Sequence, residues 1–165
     1  MMRVYLMRHG YAQDAVPPID NFHRALTPTG IAETKRMGRW LAQCVGDGRL
    51  GIYYSPPVRT RQTAELVRDE CRIGGTDVRE VQALYALLRP DWAPLRAHLL
   101  DAARRGLTDI LMVSHHPYLQ KWLREEADFA VKYRQSAVTE LCGDEWGALR
   151  PVRYVRPDDK EIVGV

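Results

Sequence analysis

The chain has 165 residues, 45% of them hydrophobic and 27% charged, which fits one compact domain over residues 1–165 and excludes collagenous or wholly disordered chains. Twenty-four basic against 21 acidic residues leave a net charge of +3, too balanced for a nucleic-acid binder that also lacks a basic run. Twenty of the 24 cations are arginine, the better planar, bidentate partner for phosphate and carboxylate. Cys44, Cys71 and Cys142 lie far apart with no CxxC or zinc spacing and read as free thiols of a reducing compartment. The first apolar run, residues 4–7, is too short for a signal segment or a membrane span, so a cytoplasmic chain is expected.

Residues 4–7 have strand length and stop at Arg8-His9-Gly10. A polar loop with Pro17-Pro18 leads to Thr27-Pro28, an N-cap followed by proline at the first helical position. Ile31, Met37, Trp40, Leu41 and Cys44 give that helix an apolar stripe, and Gly46 and Gly48 end it. Ile52-Tyr53-Tyr54 is a second strand, halted by Ser55-Pro56-Pro57, and a helix follows to about Cys71 with Ala64, Leu66 and Val67 as apolar positions. After the Gly74-Gly75 turn, residues 78–81 read as a strand and 91–104 as a helix with Leu95, Leu99 and Ala102 near one face. Residues 110–113 are the most strand-like run, stopping at Ser114-His115-His116-Pro117, and a helix runs from there to about Glu126. Residues 137–141, the turn at Gly143-Asp144 and residues 146–155 read as an antiparallel hairpin, and the tail from Asp158 as a fraying end. The pattern predicts a three-layer α/β/α sandwich with a mainly parallel sheet and a C-terminal antiparallel edge hairpin.

Three strand exits carry basic groups: Arg8-His9 after the first, Arg59 just beyond the second, and His115-His116 after residues 110–113. Ligands of open parallel sheets bind beyond the carboxyl ends of the strands, so neighbouring parallel strands would bring these groups to one rim. Arginines and imidazoles gathered there suit a compact dianion, with phosphate the obvious candidate. The helix starting near Pro117 can add backbone N–H donors.

The motifs then become recognisable. Leu6-Met7-Arg8-His9-Gly10, Leu26-Thr27-Pro28-Thr29-Gly30, the segment Ser55-Pro56-Pro57-Val58-Arg59-Thr60-Arg61-Gln62-Thr63-Ala64, and Val113-Ser114-His115 occur in that order. This set resembles the histidine phosphatase (phosphoglycerate mutase-like) superfamily, and the short chain looks most like its SixA-like phosphohistidine phosphatases. The resemblance implies covalent catalysis: His9 would attack phosphorus and become transiently phosphorylated, and water would then release phosphate. Arg8, Arg59 and His115 would hold the phosphoryl oxygens. Neither a metal nor an organic cofactor is implied.

Residue choices follow from geometry together with that pattern. Arg59 and Arg61 point about 200° apart on a helix, so both can hardly face one phosphate. The family pattern selects Arg59 and leaves Arg61 solvated. It likewise selects His115 over His116, which falls at the predicted helix N-cap as a supporting donor or an exposed group. Arg24 is a candidate to reach the rim from its loop, against the blander reading of a solvated charge. Tyr11 is a candidate to pack over the site, while His23 and His98 read as ordinary histidines.

Many larger superfamily members carry a carboxylate after the third strand that protonates the leaving oxygen. Here Glu80 and Asp91 are the candidates, and neither falls in an alignable motif. General-acid help matters most for alkoxide leaving groups, typically 10²–10⁴-fold. A weak or missing acid therefore favours P–N over P–O cleavage. The expected substrate is phosphohistidine on a protein partner, such as a phosphotransfer domain. A phosphatase of small phosphoesters or nucleotides and a non-catalytic phosphate-binding module are the alternatives.

Overall fold

The computed structural model describes residues 1–85, 91–143 and 149–163. Six strands form one sheet: β1 (Met2–Arg8), β2 (Leu50–Tyr54), β3 (Asp77–Glu80), β4 (Asp109–Ser114), β5 (Val138–Gly143) and β6 (Arg150–Val155), in the order β3-β2-β4-β1-β5-β6. The four on the β3 side run parallel, while β5 is antiparallel to β1 and β6 to β5. Strand β4 lies between two parallel neighbours and is buried along its whole length, which is why its residues 110–113 read as an unbroken apolar run between the buried polar ends Asp109 and Ser114.

Helices α1 (Pro28–Val45), α2 (Val58–Cys71), α3 (Trp92–Arg104), α4 (His116–Ala127) and the short α5 (Lys160–Val163) cover the sheet. Alternation along β1 and β4 divides the core in two. Leu6, Ile110 and Met112 pack with Leu95, Leu99 and Leu119 of α3 and α4. Tyr5, Met7, Leu111 and Val113 pack on the other face with Met37, Trp40, Val67 and Ile162 of α1, α2 and α5. The α/β/α sandwich expected from the sequence is the architecture observed. The Thr27 hydroxyl caps α1 by accepting from the Gly30 N–H at 3.1 Å, and Gly46, at φ 56°, ends the helix. Among the described residues no helix is long and apolar enough to cross a membrane.

Several local expectations shift. Ile31 is 37% exposed, and the buried face of α1 begins instead at Gly30, Glu33 and Thr34. Gly30 has to lie against the Tyr11 backbone, where a Cβ would fall 2.2 Å from the carbonyl oxygen, and this sets the rotation of the helix. His116 is the first residue of α4 and His115 takes the N-cap position. Gly143 ends β5 rather than forming the turn, while Asp144 and Trp146 lie outside the described residues. The tail does not fray from Asp158. Asp159 accepts from the Arg156 N–H at 2.7 Å, and Ile162 is completely buried in the core shared with α1. Residues 164 and 165 lie outside the described ones.

Candidate active site

Because β2, β4 and β1 are adjacent and parallel, their carboxyl ends finish on one edge. Arg8 is paired with Ser114, and the His9 N–H donates to the Ser114 carbonyl at 3.1 Å. The Ser55 N–H donates to the Val113 carbonyl at 3.1 Å. These ladder continuations set His9, His115 and Ser55 side by side. Three chain segments far apart in sequence thus meet through sheet register alone.

His9 is 8% exposed, and its Nδ1–H donates to its neighbour's carbonyl, Gly10 O, at 2.8 Å. A carbonyl can only accept, so this contact fixes the tautomer and leaves Nε2 with its lone pair. Gly10 is tightly held: its N–H donates to Thr63 Oγ1 at 3.1 Å, and a Cβ there would meet Thr34 Oγ1 at 2.8 Å and the Gly30 carbonyl at 3.0 Å. On the far side, the His9 carbonyl accepts from the N–H of Ser136, a buried residue at φ 59°.

Arg59 is the hub. It is 4% exposed and its guanidinium spans three acceptors: Nε to His9 Nε2 at 3.2 Å, one terminal N–H to the Asn21 carbonyl at 2.6 Å, and the other to His115 Nδ1 at 3.3 Å. Helix α2 buries this side chain and leaves Arg61, two residues on, exposed. With Nδ1 accepting, His115 donates through Nε2 to Ser55 Oγ at 2.8 Å. Ser55 Oγ donates in turn to Thr60 Oγ1 at 3.1 Å, which ends on the Ser55 and Pro57 carbonyls. The His9 and His115 rings stand 5.4 Å apart.

Among the described residues, no carboxylate pairs with Arg8, Arg59 or either imidazole. Burial pushes the His9 pKa down to about 3, against the Gly10 hydrogen bond that raises it, and Arg59, Arg8 and Arg24 push the same way as burial. Burial likewise takes His115 down to about 2, with His9 and the same arginines adding to it. Both rings are therefore neutral at ordinary pH, in a strongly positive pocket suited to an anion. Arg8 donates to the Tyr133 carbonyl at 2.7 Å, and its buried Nε meets no protein acceptor among the described residues.

The remaining candidates separate. Arg24 is tied by its guanidinium to the Gln13 carbonyl and to Asn21 Oδ1, yet lies close enough to depress both imidazoles. His116 is partly exposed beside Arg8 and Lys132, which, after burial, lower its pKa. Glu80 is exposed on the edge strand β3, three strand spacings from β1, or about 14 Å. Asp91 caps α3 by accepting from the Ala93 N–H at 3.0 Å. Neither carboxylate is placed beside His9. The Tyr11 ring lies against Arg134 at 6.0 Å, His23 pairs with Asp20 at the surface, and His98 packs on Tyr53. Among the described residues no three His, Cys, Asp or Glu side chains are grouped to hold a metal ion. Sequence reasoning gave no role to Ser55, the Asn21 carbonyl or Tyr85, whose ring sits 5.4 Å from that of His115. Of these, only Ser55 carried a signal, as part of the motif before Arg59.

A family model described as the histidine phosphatase superfamily (branch 1) matches residues 4–92, a stretch that holds Arg8, His9 and Arg59. The chain belongs to the histidine phosphatase superfamily. Among solved structures of this superfamily, the protein histidine phosphatase SixA, complexed with tungstate, is 26% identical over 94% of this chain and 97% of that one, with a TM-score of 0.74. The chain is SixA-like within the superfamily. A mycobacterial glucosyl-3-phosphoglycerate phosphatase shares the fold at 12% identity, covering 92% of this chain and 97% of that one, with a TM-score of 0.68. An uncharacterized protein of Picosynechococcus is 39% identical over 66 residues, which is 40% of this histidine phosphatase chain and only 39% of that relative.

Proposed function

We propose that the chain is a phosphatase that carries the phosphoryl group on His9 and acts on phosphohistidine of a protein partner, such as a phosphotransfer domain. One observation carries the reading: a neutral, buried imidazole whose Nδ1–H is held by Gly10 O while Nε2 faces the Arg59 guanidinium at 3.2 Å. The lone pair on Nε2, given up by the Arg59 N–H as that group turns to the phosphoryl oxygens, forms a bond to phosphorus as the bond to the leaving nitrogen breaks. Arg59 and Arg8 take the charge that shifts onto the phosphoryl oxygens, while His115, its one N–H held by Ser55, orders the Arg59 guanidinium beside them. A phosphoimidazole whose far nitrogen is already protonated leaves as neutral imidazole, so this step needs no proton from the protein. Water then attacks the phosphohistidine and frees His9 and inorganic phosphate.

The placement of Glu80 and Asp91 supports P–N cleavage over P–O cleavage, since an alkoxide would need a proton that neither is set to deliver. Likeness to a protein histidine phosphatase supports the same choice. A second reading, a phosphatase of small phosphoesters, is favoured by a groove of about 480 Å³ lined by Gln82, Tyr85, Asp91 and His98. Incubating the protein with a phosphohistidine-bearing protein and with a phosphoserine peptide separates the two. Faster turnover of the phosphohistidine is expected, and faster release from the phosphoserine would overturn the reading.

A further inference from the structure

Outward from His9, a row of rings steps from the buried site to the surface. His115 lies 5.4 Å from His9, Tyr85 lies 5.4 Å from His115, and Phe22 lies 6.3 Å from Tyr85. Exposure rises along the row: the histidines are buried, Tyr85 is half-buried and Phe22 is 37% exposed. Among the described residues neither Tyr85 nor Phe22 belongs to either core cluster, and Phe22 also stands 5.2 Å from the surface ring of His23.

Phe22 is nevertheless firmly placed. The Asn21 carbonyl takes the 2.6 Å hydrogen bond from Arg59, and the Phe22 carbonyl accepts from the Val58 N–H at 3.1 Å. Two consecutive carbonyls thus pin this loop to the start of α2, one on the Arg59 side chain that faces His9 and the other on the Val58 backbone. Tyr85 reaches the site from the short helical turn Gln82–Tyr85 after β3, with its ring 5.4 Å from that of His115. An apolar ring held half-exposed at the mouth of a cationic pocket is poorly explained by solvent exposure. It is well explained by a flat partner that stacks there.

We propose that Tyr85 and Phe22 form a ring-binding subsite that takes a planar aromatic leaving group, such as imidazole, while its phosphoryl group sits among Arg8, Arg59, His9 and His115. The proposal rests on the phosphatase reading for its biological sense. It deepens that reading by making ring recognition, and not proton donation, the source of preference between substrates. Stacking of this kind corresponds to roughly two- to tenfold in affinity.

The test uses two anions that do not turn over, phenylphosphonate and methylphosphonate, which carry the same phosphonate head on a ring or on a methyl group, compared at a pH where both are dianions. Titration calorimetry of the native chain is expected to show phenylphosphonate binding two- to tenfold more tightly. In Phe22→Ala and Tyr85→Leu that ratio falls toward one, and in Phe22→Trp it is kept. Equal binding of both anions by the native chain, or a ratio that survives both truncations, overturns the subsite while the anion site stands. Binding of neither anion overturns the subsite and the phosphate-site reading together. A clear ring preference in a chain that releases no phosphate from phosphoimidazole keeps the subsite and removes the phosphatase reading.

Discussion

Replacing Arg59 by methionine keeps the aliphatic stem and removes the charge. The guanidinium is almost fully buried, donates to His9, His115 and the Asn21 carbonyl, and has no carboxylate partner among the described residues. A cation and a phosphoryl dianion about 4 Å apart, at an effective dielectric near 20, attract by roughly 8 kcal/mol before desolvation is subtracted. Because Arg59 is already out of water, most of the opposing cost falls on the anion. Loss of one donor from such a water-excluded oxyanion site typically amounts to about 3–4 kcal/mol, which is about 10²- to 10³-fold in affinity. Stability moves far less. The Asn21 carbonyl loses a partner at a cost of about 1–3 kcal/mol, but an unpaired buried charge disappears, and the two effects largely offset. Titration with vanadate, alongside urea unfolding of the same samples, checks both halves. A folded Arg59→Met protein that binds vanadate as the native chain does would refute the reasoning.

Three further outcomes follow from the same geometry. Gly10→Ala drives a Cβ against Thr34 Oγ1 and the Gly30 carbonyl and is expected to lower the free energy of urea unfolding by about 1–3 kcal/mol, with unchanged stability as the contrary result. Ser55→Ala removes the acceptor of the His115 Nε2–H, and a fall in kcat of roughly tenfold with the fold retained is expected; an unaltered kcat would show that the Ser55 contact does not position the ring. Both imidazoles are depressed in the folded state, to about 3 and about 2, against 6.5 when exposed. The unfolded chain therefore binds more protons below pH 6.5, so stability is full above that value and declines as pH falls toward 3, at about 1 kcal/mol per pH unit for each ring. Unfolding at pH 7.5, 5.5 and 4.5 is expected to show a shallower decline in His115→Gln than in the native chain, and identical slopes would contradict it.

What the sequence made legible was mostly what local chemistry enforces. Residues 4–7 and 110–113 are apolar because both faces of their strands are buried, and the basic residues that end those runs mark the sheet edge. Helical geometry showed that Arg59 and Arg61 could not share one phosphate, and the family pattern chose Arg59. The misses are tertiary. Ile31 satisfies the stripe of α1 but is turned out by the fit of Gly30 against Tyr11, and Ile162, after the polar run 158–161, finds a hole in the core that no periodicity announces. The roles of the Asn21 carbonyl and Tyr85 depend on where a loop and a short helical turn land, 38 residues before Arg59 and 30 before His115 respectively. Neither separation leaves a trace in local pattern. The distance of Glu80 from β1 follows only from strand order, which places β3 at the sheet edge.

The reading rests on phosphorus bonding to one nitrogen. Brief exposure of the protein to a phosphorylated substrate, followed by rapid quenching in base and peptide mapping by mass spectrometry, shows where phosphate resides. An acid-labile phosphate on the peptide containing His9, absent from His9→Ala, is the result expected. Turnover with phosphate on another residue, or undiminished turnover by His9→Ala, would contradict the account.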